Sequence, residues 1–374
     1  MNGLNRFCIC QHLLLSTADL LYPNRYDYAL ENAEGKAKKG DGTNRKMNAN
    51  ESTQDYFAYD QEKLHRVLFP VELRPVQVMM EWPQAESEAG EYPMKAPRHR
   101  AVVDMDRRSV FTVVTDNYEL IKNSEAIELG RDCFQTVFKL TDLSKMMLFN
   151  IIMPGSRSFC HIDFVHREVQ FNYFDDDPWT PFLRITNSYN RTRLLSFDIG
   201  FCRGVCKNGI IFGKKNIEFK FTHSKSIKRS PKAEFRLRSG EFLQLEAQFR
   251  QNLQHLQRYH VPPRYMWPLV CMVFRLTPPN ASASPRQNTN WDLRRNAIWK
   301  LTDRYFGELG QNGYAALNVL TDYATRPPAE ISAESRVNGF QTASGEWVLD
   351  FVSKIESREF TFERYLGDYA QLAI

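Results

Sequence analysis

The sequence is short of the features that announce most membrane proteins and nucleotide-driven enzymes. No apolar run reaches the roughly 18 residues that a membrane-crossing helix requires, so no membrane partner is expected. The moderately apolar stretch Phe7–Leu21 is broken by Gln11, His12 and Asp19, and no small-residue cleavage pattern follows it. It therefore reads as a short amphipathic helix and not as a signal peptide. There is no phosphate-cradling G-x-x-x-x-G-K-[ST] loop and no G-x-G-x-x-G fingerprint; GFCRGVCKNG (200–209) has glycines without the spacing. ATP-driven chemistry and a bound cofactor are not expected. Cysteine is sparse and odd in number, seven residues without even spacing, which argues against a secreted disulfide framework. The thiols read as reduced and the protein as cytoplasmic. Ser, His and Asp occur only as scattered residues, so no catalytic residue is assigned.

What the chain does have is aromatic side chains and one basic stretch. The 26 Phe and 16 Tyr bring the aromatic fraction to 13%, which favours a strand-rich core and leaves rings over for stacking. From Arg184 to Arg229 there are eleven basic residues against Asp198 and Glu218, a net +9, while the whole chain carries only +5. Everything else therefore sums to −4, and a basic segment in a slightly acidic chain points to an anionic partner.

Taken in order, residues 1–63 read as the N-terminal helix and a polar segment with little to bury, AEGKAKKGDGTNRKMNANESTQD. Residues 64–236 read as a β-rich core with one amphipathic helix. Val67–Phe69 and Pro75–Met79 suit edge strands, 83–95 an acidic loop, and Arg100–Val114 a hairpin turning at Asp106–Arg108. A helix follows, capped at Asn123 or Ser124 and running to about 139. Met146–Met153, Ser158–Tyr173, Thr180–Ser188, Leu194–Phe201, Gly209–Phe212 and Ile217–Thr222 read as strands, with DDDPW as a turn. Within Ser158–Tyr173, alternation sets Phe159, His161, Asp163 and Val165 against Cys160, Ile162, Phe164 and His166. Strands this close in sequence imply an antiparallel meander. Residues 237–374 read as a helical part packed on the core: a helix from about Leu237 capped by Ser239, a short apolar helix or strand at Tyr265–Leu276, helices over Asn290–Gly307 and Gly313–Arg326, a last strand at GEWVLDFV and a helix at EFTFERYLGDYAQL. The fold class is α+β, a central antiparallel sheet (about 100–222) backed by helices, with a mostly helical C-terminal part.

Several of these pieces together resemble a domain-of-unknown-function family of phage- and plasmid-encoded proteins. The first is HRAVVDMDRRSVFTVVTDNYELIKNSEAIELGRDCF, in which Tyr118, Asn123, Glu125 and Ala126 match the family's tyrosine and its Asn-x-Glu-Ala helix start. ITNSYNRT (185–192), CRGVCKNGIIF (202–212) and GYAALNVLTDYATR (313–326) also fit, through Ser188, Tyr189, Arg203, Cys206, Asn208 and Gly209 in the middle block. The resemblance spans about residues 98–327. Where the family has a Gly-rich turn after its Ser-Tyr pair, this chain has Asn190-Arg191. The order of elements is in turn loosely similar to single-strand annealing recombinases, which implies ring-like homo-oligomers and ATP-independent binding of single-stranded DNA in a basic groove.

Binding a single strand takes cations that follow the phosphates and rings on which bases stack. The candidates are Arg184, Arg191, Arg193, Arg203, Lys207, Lys214, Lys215 and Lys220 for phosphates and Tyr189 for stacking. In EFKFTHSK the parity puts Phe219, Phe221 and His223 on one face and Lys220 and Thr222 on the other, so those phenylalanines read as core. The expected function is nucleic-acid binding, single-stranded DNA above all, in annealing or protection. A host-takeover or anti-defence protein that binds an acidic host protein is an alternative. A metal-dependent nuclease built on Asp163, Glu168 and Asp175–Asp177 is another. Cys202 and Cys206, with Cys160, His161 and His166, are four-ligand zinc candidates only weakly, because a lone C-x3-C pair lacks a second clean pair. They read better as buried thiols.

Overall fold

The computed structural model describes residues 64–81, 91–139, 146–166, 169–174, 177–204, 208–212, 217–225, 231–328 and 336–373. Two antiparallel sheets and a helical layer make up the described residues, so the α+β expectation holds and the C-terminal part is helical. The first sheet has three strands in sequence order: β1 (Val71–Glu81), β2 (Glu91–Asp104) and β3 (Ser109–Thr115). β2 and β3 form the hairpin expected around Asp106–Arg108. Val67 belongs to a helical turn and not to a strand, and Pro75 lies inside β1, where the pairing with β2 slips between Pro75 and Gln77. Proline is tolerated there because β1 lies at the edge of the sheet among the described residues and the pairing slips beside it. Residues 91–95, expected in a loop, belong to β2.

The second sheet has seven strands. Its path runs β10 (Glu218–Phe221), β8 (Leu195–Arg203), β7 (Asp177–Ser188), β5 (Phe159–His166), β4 (Met146–Ile152), with β6 (Phe171–Phe174) pairing β7 and β9 (Gly209–Ile211) pairing β8. The two faces follow from strand parity. Ile162, Phe164, Leu183, Ile185, Phe197, Ile199 and Phe201 turn to one side, where they join the main core. They meet α1 (Asn123–Phe138), α2 (Pro231–Arg238) and α3 (Glu241–Arg258). The approach of α1 is close: a Cβ at Gly130 would lie 2.1 Å from Cδ1 of Ile185. Phe249 of α3 is the hub of this side, stacked on Phe201 at 4.7 Å and edge-on to Trp179 and Phe212 at 5.1 Å.

The other face is apolar at one end, through Val165, Phe182, Cys202 and Ile211. α7 (Val337–Ile355) covers that end, and a Cβ at Gly345 would lie 2.2 Å from the backbone oxygen of Ile211. The stretch GEWVLDFV, expected as a strand, is the second half of this helix: Phe340, Ser344, Trp347, Val348 and Phe351 recur at spacings of three and four and are all buried. α4 (Met266–Phe274), α5 (Pro285–Leu309), α6 (Gly313–Thr325) and the short α8 (Phe362–Leu366) complete the helical layer. α5 opens on a capping box, with Ser284 Oγ accepting from the N–H of Gln287 at 3.3 Å. Ser239 is not the N-cap of α3, which is Gly240; an unexpected α2 runs up to Arg238, and Ser239 Oγ donates to Arg236 O in its last turn at 3.0 Å.

Tyr189 joins the two sheets. It is stacked on Phe111 at 5.4 Å and edge-on to Phe69 at 5.7 Å, above Val71, Val102 and Val114. Its hydroxyl accepts from the N–H of Asn123 at 2.9 Å, and the Asn123 side chain donates to Val67 O and accepts from Asn187.

Candidate functional site

The unfilled half of the α7-covered face is polar, and its register lines up two rows across four strands. Asp163, Arg184, Asp198 and Glu218 are successive cross-strand partners on β5, β7, β8 and β10, and His161, Thr186, Ser196 and Lys220 form the adjacent row. Over them lies a cleft of about 860 Å³. Its far wall comes from the end of α4 (Phe274, Arg275) and from α7 (Arg336, Asn338, Phe340, Glu346, Trp347, Asp350).

The rows differ in what they leave for a ligand. Arg184 is fully buried and clamps Asp163 with two hydrogen bonds, Nε–Oδ1 at 2.7 Å and Nη2–Oδ2 at 2.6 Å, while Nη1 donates to Asn338 Oδ1 at 2.9 Å. Bidentate geometry of this kind satisfies both ions in a medium where neither could stand alone. Asp198 and Glu218, side by side on β8 and β10, are hydrogen-bonded carboxyls. Burial, and next the Glu218 charge, push the Asp198 carboxyl up to about 7, against a lowering hydrogen bond from Ser196 Oγ at 3.0 Å. His161 is also fully buried; its Nδ1 lies 2.8 Å from Thr186 Oγ1 and its Nε2 has no hydrogen-bond partner among the described residues. Burial, with the Arg184 and Arg193 charges, holds His161 well below the usual imidazole range, so it is neutral.

Asp198 makes stability depend on pH. The folded chain binds this proton more tightly than the unfolded chain does, so stability falls as pH rises from about 4, the ordinary aspartate range, through about 7. Asp198→Asn, neutral at every pH, is expected to exceed the parent at pH 8 by on the order of 2 kcal/mol. The gap should shrink towards pH 5, and thermal melts at the two pH values check it.

The nine expected nucleic-acid contacts separate sharply. Arg184 and Tyr189 are buried in the roles just described, and neither can reach a phosphate or a base in this fold. Arg203 is buried as well: its Nε donates to Asp177 Oδ1 at 2.6 Å and its Nη1 to Asn318 Oδ1 at 3.2 Å. Tyr314 of α6 donates to the other Asp177 oxygen at 2.5 Å and accepts from Trp179 Nε1 at 3.0 Å, which ties the start of β7 to the helical layer. Lys220 is exposed on the lip of the cleft and paired with Glu218 at 2.5 Å. Arg193 lies on the same lip, half-buried, 4.3 Å over the ring of Phe159. Arg191 is exposed and sits at φ 61, the left-handed region, where the resembled family carries its Gly-rich turn. Lys207, Lys214 and Lys215 lie outside the described residues.

Of the nuclease candidates, Glu168, Asp175 and Asp176 lie outside the described residues. Asp163 is opposite Arg184 and Asp177 is seven residues earlier on β7, roughly 20 Å away along the strand, and each is held by its own arginine. The zinc candidates do not converge either. Cys160 faces α1 and Cys202 the opposite side of the sheet, both as free buried thiols, and Cys206 is outside the described residues. Burial raises the Cys160 thiol to about 12.

Sequence reasoning missed Asp198, Glu218, Arg275 and Arg336 as site residues and weighed His161 only as a weak zinc ligand. One signal was available: Asp198 is the lone acid in the apolar run LSFDIGF, and a carboxylate in a buried strand needs a reason. Comparison with curated proteins and with solved structures finds no match. Residues 110–340 match the family described as domain of unknown function (DUF932), and the chain belongs to that family.

Proposed function

We propose that the chain is an ATP-independent nucleic-acid-binding protein of a phage or mobile element that lays single-stranded DNA along the lip of the cleft, for annealing or protection. The observation that supports this is the set of cations at the opening. Arg193 from the turn before β8, Lys220 from β10, Arg275 at the end of α4 and Arg336 at the start of α7 all border it. Arg275 and Arg336 are exposed, and none of Arg193, Arg275 and Arg336 forms an ion pair with a described carboxylate. Phosphates are held by charges not already satisfied within the protein. Arg191, exposed two residues before Arg193, would extend the same track.

Fluorescence anisotropy of a labelled single-stranded oligonucleotide, at several salt concentrations with and without Mg²⁺, tests the reading. Saturable binding whose logarithm falls linearly with log salt is expected. The Arg275→Ala/Arg336→Ala variant should flatten that slope by about 1.4, since each single-strand phosphate contact contributes about 0.7. Absence of binding at low salt would sink the proposal, and cleavage of the oligonucleotide only when Mg²⁺ is present would replace it with a nuclease.

A further inference from the structure

The cleft sorts charge by position, and the sorting decides which part of a nucleotide can enter it. Arg193, Arg275 and Arg336 stand at the mouth with no ion pair to a described carboxylate. Past them the cations are spent. Lys220 Nζ lies 2.5 Å from Glu218, which shares the floor with Asp198. Glu346 and Asp350 line the later turns of α7, roughly 15–21 Å along the helix from Arg336. A phosphate is held at the arginines and meets no uncommitted cation further in, whatever the protonation of the Asp198–Glu218 pair. The charged backbone of a strand therefore stays at the mouth. Below it the floor spans four strands, roughly 14 Å by strand spacing, and the opposite wall is largely apolar through Met272, Phe274, Phe340 and Ala343. The floor's polar groups are of both kinds. The two carboxyls accept and Lys220 donates; the buried His161 Nε2, unpartnered among the described residues, takes either role with its tautomer. A buried nitrogen without a partner costs stability until something meets it.

We infer that the cleft takes one base of the bound strand at a time, turned inward from a backbone held at the mouth, and that it accepts all four bases; this rests on the strand-binding reading above. The base is the uncharged part of a nucleotide, apolar on its flat faces, with its donors and acceptors confined to its edge. The apolar wall suits the faces and the mixed floor suits the edge. Every one of the four edges carries at least one donor and one acceptor, so a floor that offers both rejects none of them. The volume, about 860 Å³, has room for a base with its sugar, since small-molecule sites span about 300–1,000 Å³. A strand laid across the lip with its bases outward would use neither this space nor His161 Nε2.

The test uses the full chain and labelled strands of one length built from abasic sugar-phosphate units, carrying a single central guanine, adenine, cytosine or thymine, or no base at all. A strand with one base is expected to bind about tenfold more tightly than the fully abasic strand, the low end of what one stacked base contributes. The four bases should agree within about threefold, less than a direct base contact discriminates. Gly339 lies on the α7 wall of the cleft, and a Cβ added there meets nothing within 4 Å. Leucine is also the better helix former, so Gly339→Leu should fold and narrow the cleft, and the one-base and abasic strands should then bind alike. Equal binding of those strands to the parent would overturn base insertion and leave strand binding standing. A gain confined to one base would overturn the acceptance of all four. A gain that survives in Gly339→Leu would place the base outside the cleft and overturn the assignment. No binding of any strand at low salt would overturn both readings.

Discussion

Arg184→Ala is expected to destabilise the protein by about 3–5 kcal/mol, the usual cost of stripping one partner from a buried ion pair. The substitution leaves Asp163 inside the sheet with neither of its two guanidinium bonds, and it also frees Asn338 on α7. Denaturant unfolding should show a lower midpoint with an unchanged slope. Arg191→Ala, seven residues along and exposed, should stay within about 0.5 kcal/mol of the parent. The two arginines are equal in a count of local charge and opposite in this measurement. Should Arg184→Ala prove as mild as Arg191→Ala, the clamp across β5 and β7 would not be what holds that face of the sheet to α7.

Phe249→Ala is expected to cost about as much, 3–5 kcal/mol, for a different reason. Its ring fills the space between β7, β8 and α3, in contact range of Tyr173, Trp179, Phe201 and Phe212. Trp179 and Phe201 are fixed by the pairing of β7 with β8 and cannot collapse inward, so the cavity persists and the loss includes the edge-to-face and stacking contacts. Phe249→Leu should recover much of the loss. Near-ultraviolet circular dichroism, dominated by this aromatic cluster, gives a second readout; an unchanged spectrum with unchanged stability would remove Phe249 from the core.

The strands were legible because their pattern is local. The alternation in 159–166 already set His161 and Asp163 on one face, and the structure keeps them there. Helix α1 was legible from Ile127, Cys133, Phe134, Val137 and Phe138, of which Cys133, Phe134 and Val137 are buried and the other two partly so. The end of the chain misled because Trp347, Val348, Phe351 and Val352 are β-prone residues within a short window, and the helical period emerges only when Phe340 and Ser344 are counted with them. The basic stretch misled for a reason of range. Its arginines were weighed against acids inside the stretch, Asp198 and Glu218, whereas Arg184 and Arg203 are neutralised by Asp163 and Asp177 from β5 and the start of β7. Strand register decides which cations are spent, and register is a property of partners far apart in the chain. The cleft was invisible for the same reason: its two polar rows exist only once four strands lie side by side.

The irregular edge of the three-stranded sheet has a bearing on how copies of this protein can associate. Among the described residues β1 is an outer strand, and Pro75 in its middle has no N–H to give where the ladder with β2 slips. An incoming strand from another molecule would meet an edge made irregular by that slip, beside the Glu72–Arg74 ion pair. Natural sheets block runaway polymerisation in this manner. Any association between copies of this chain would have to run through side-chain surfaces elsewhere, leaving β1 as a boundary and not a seam.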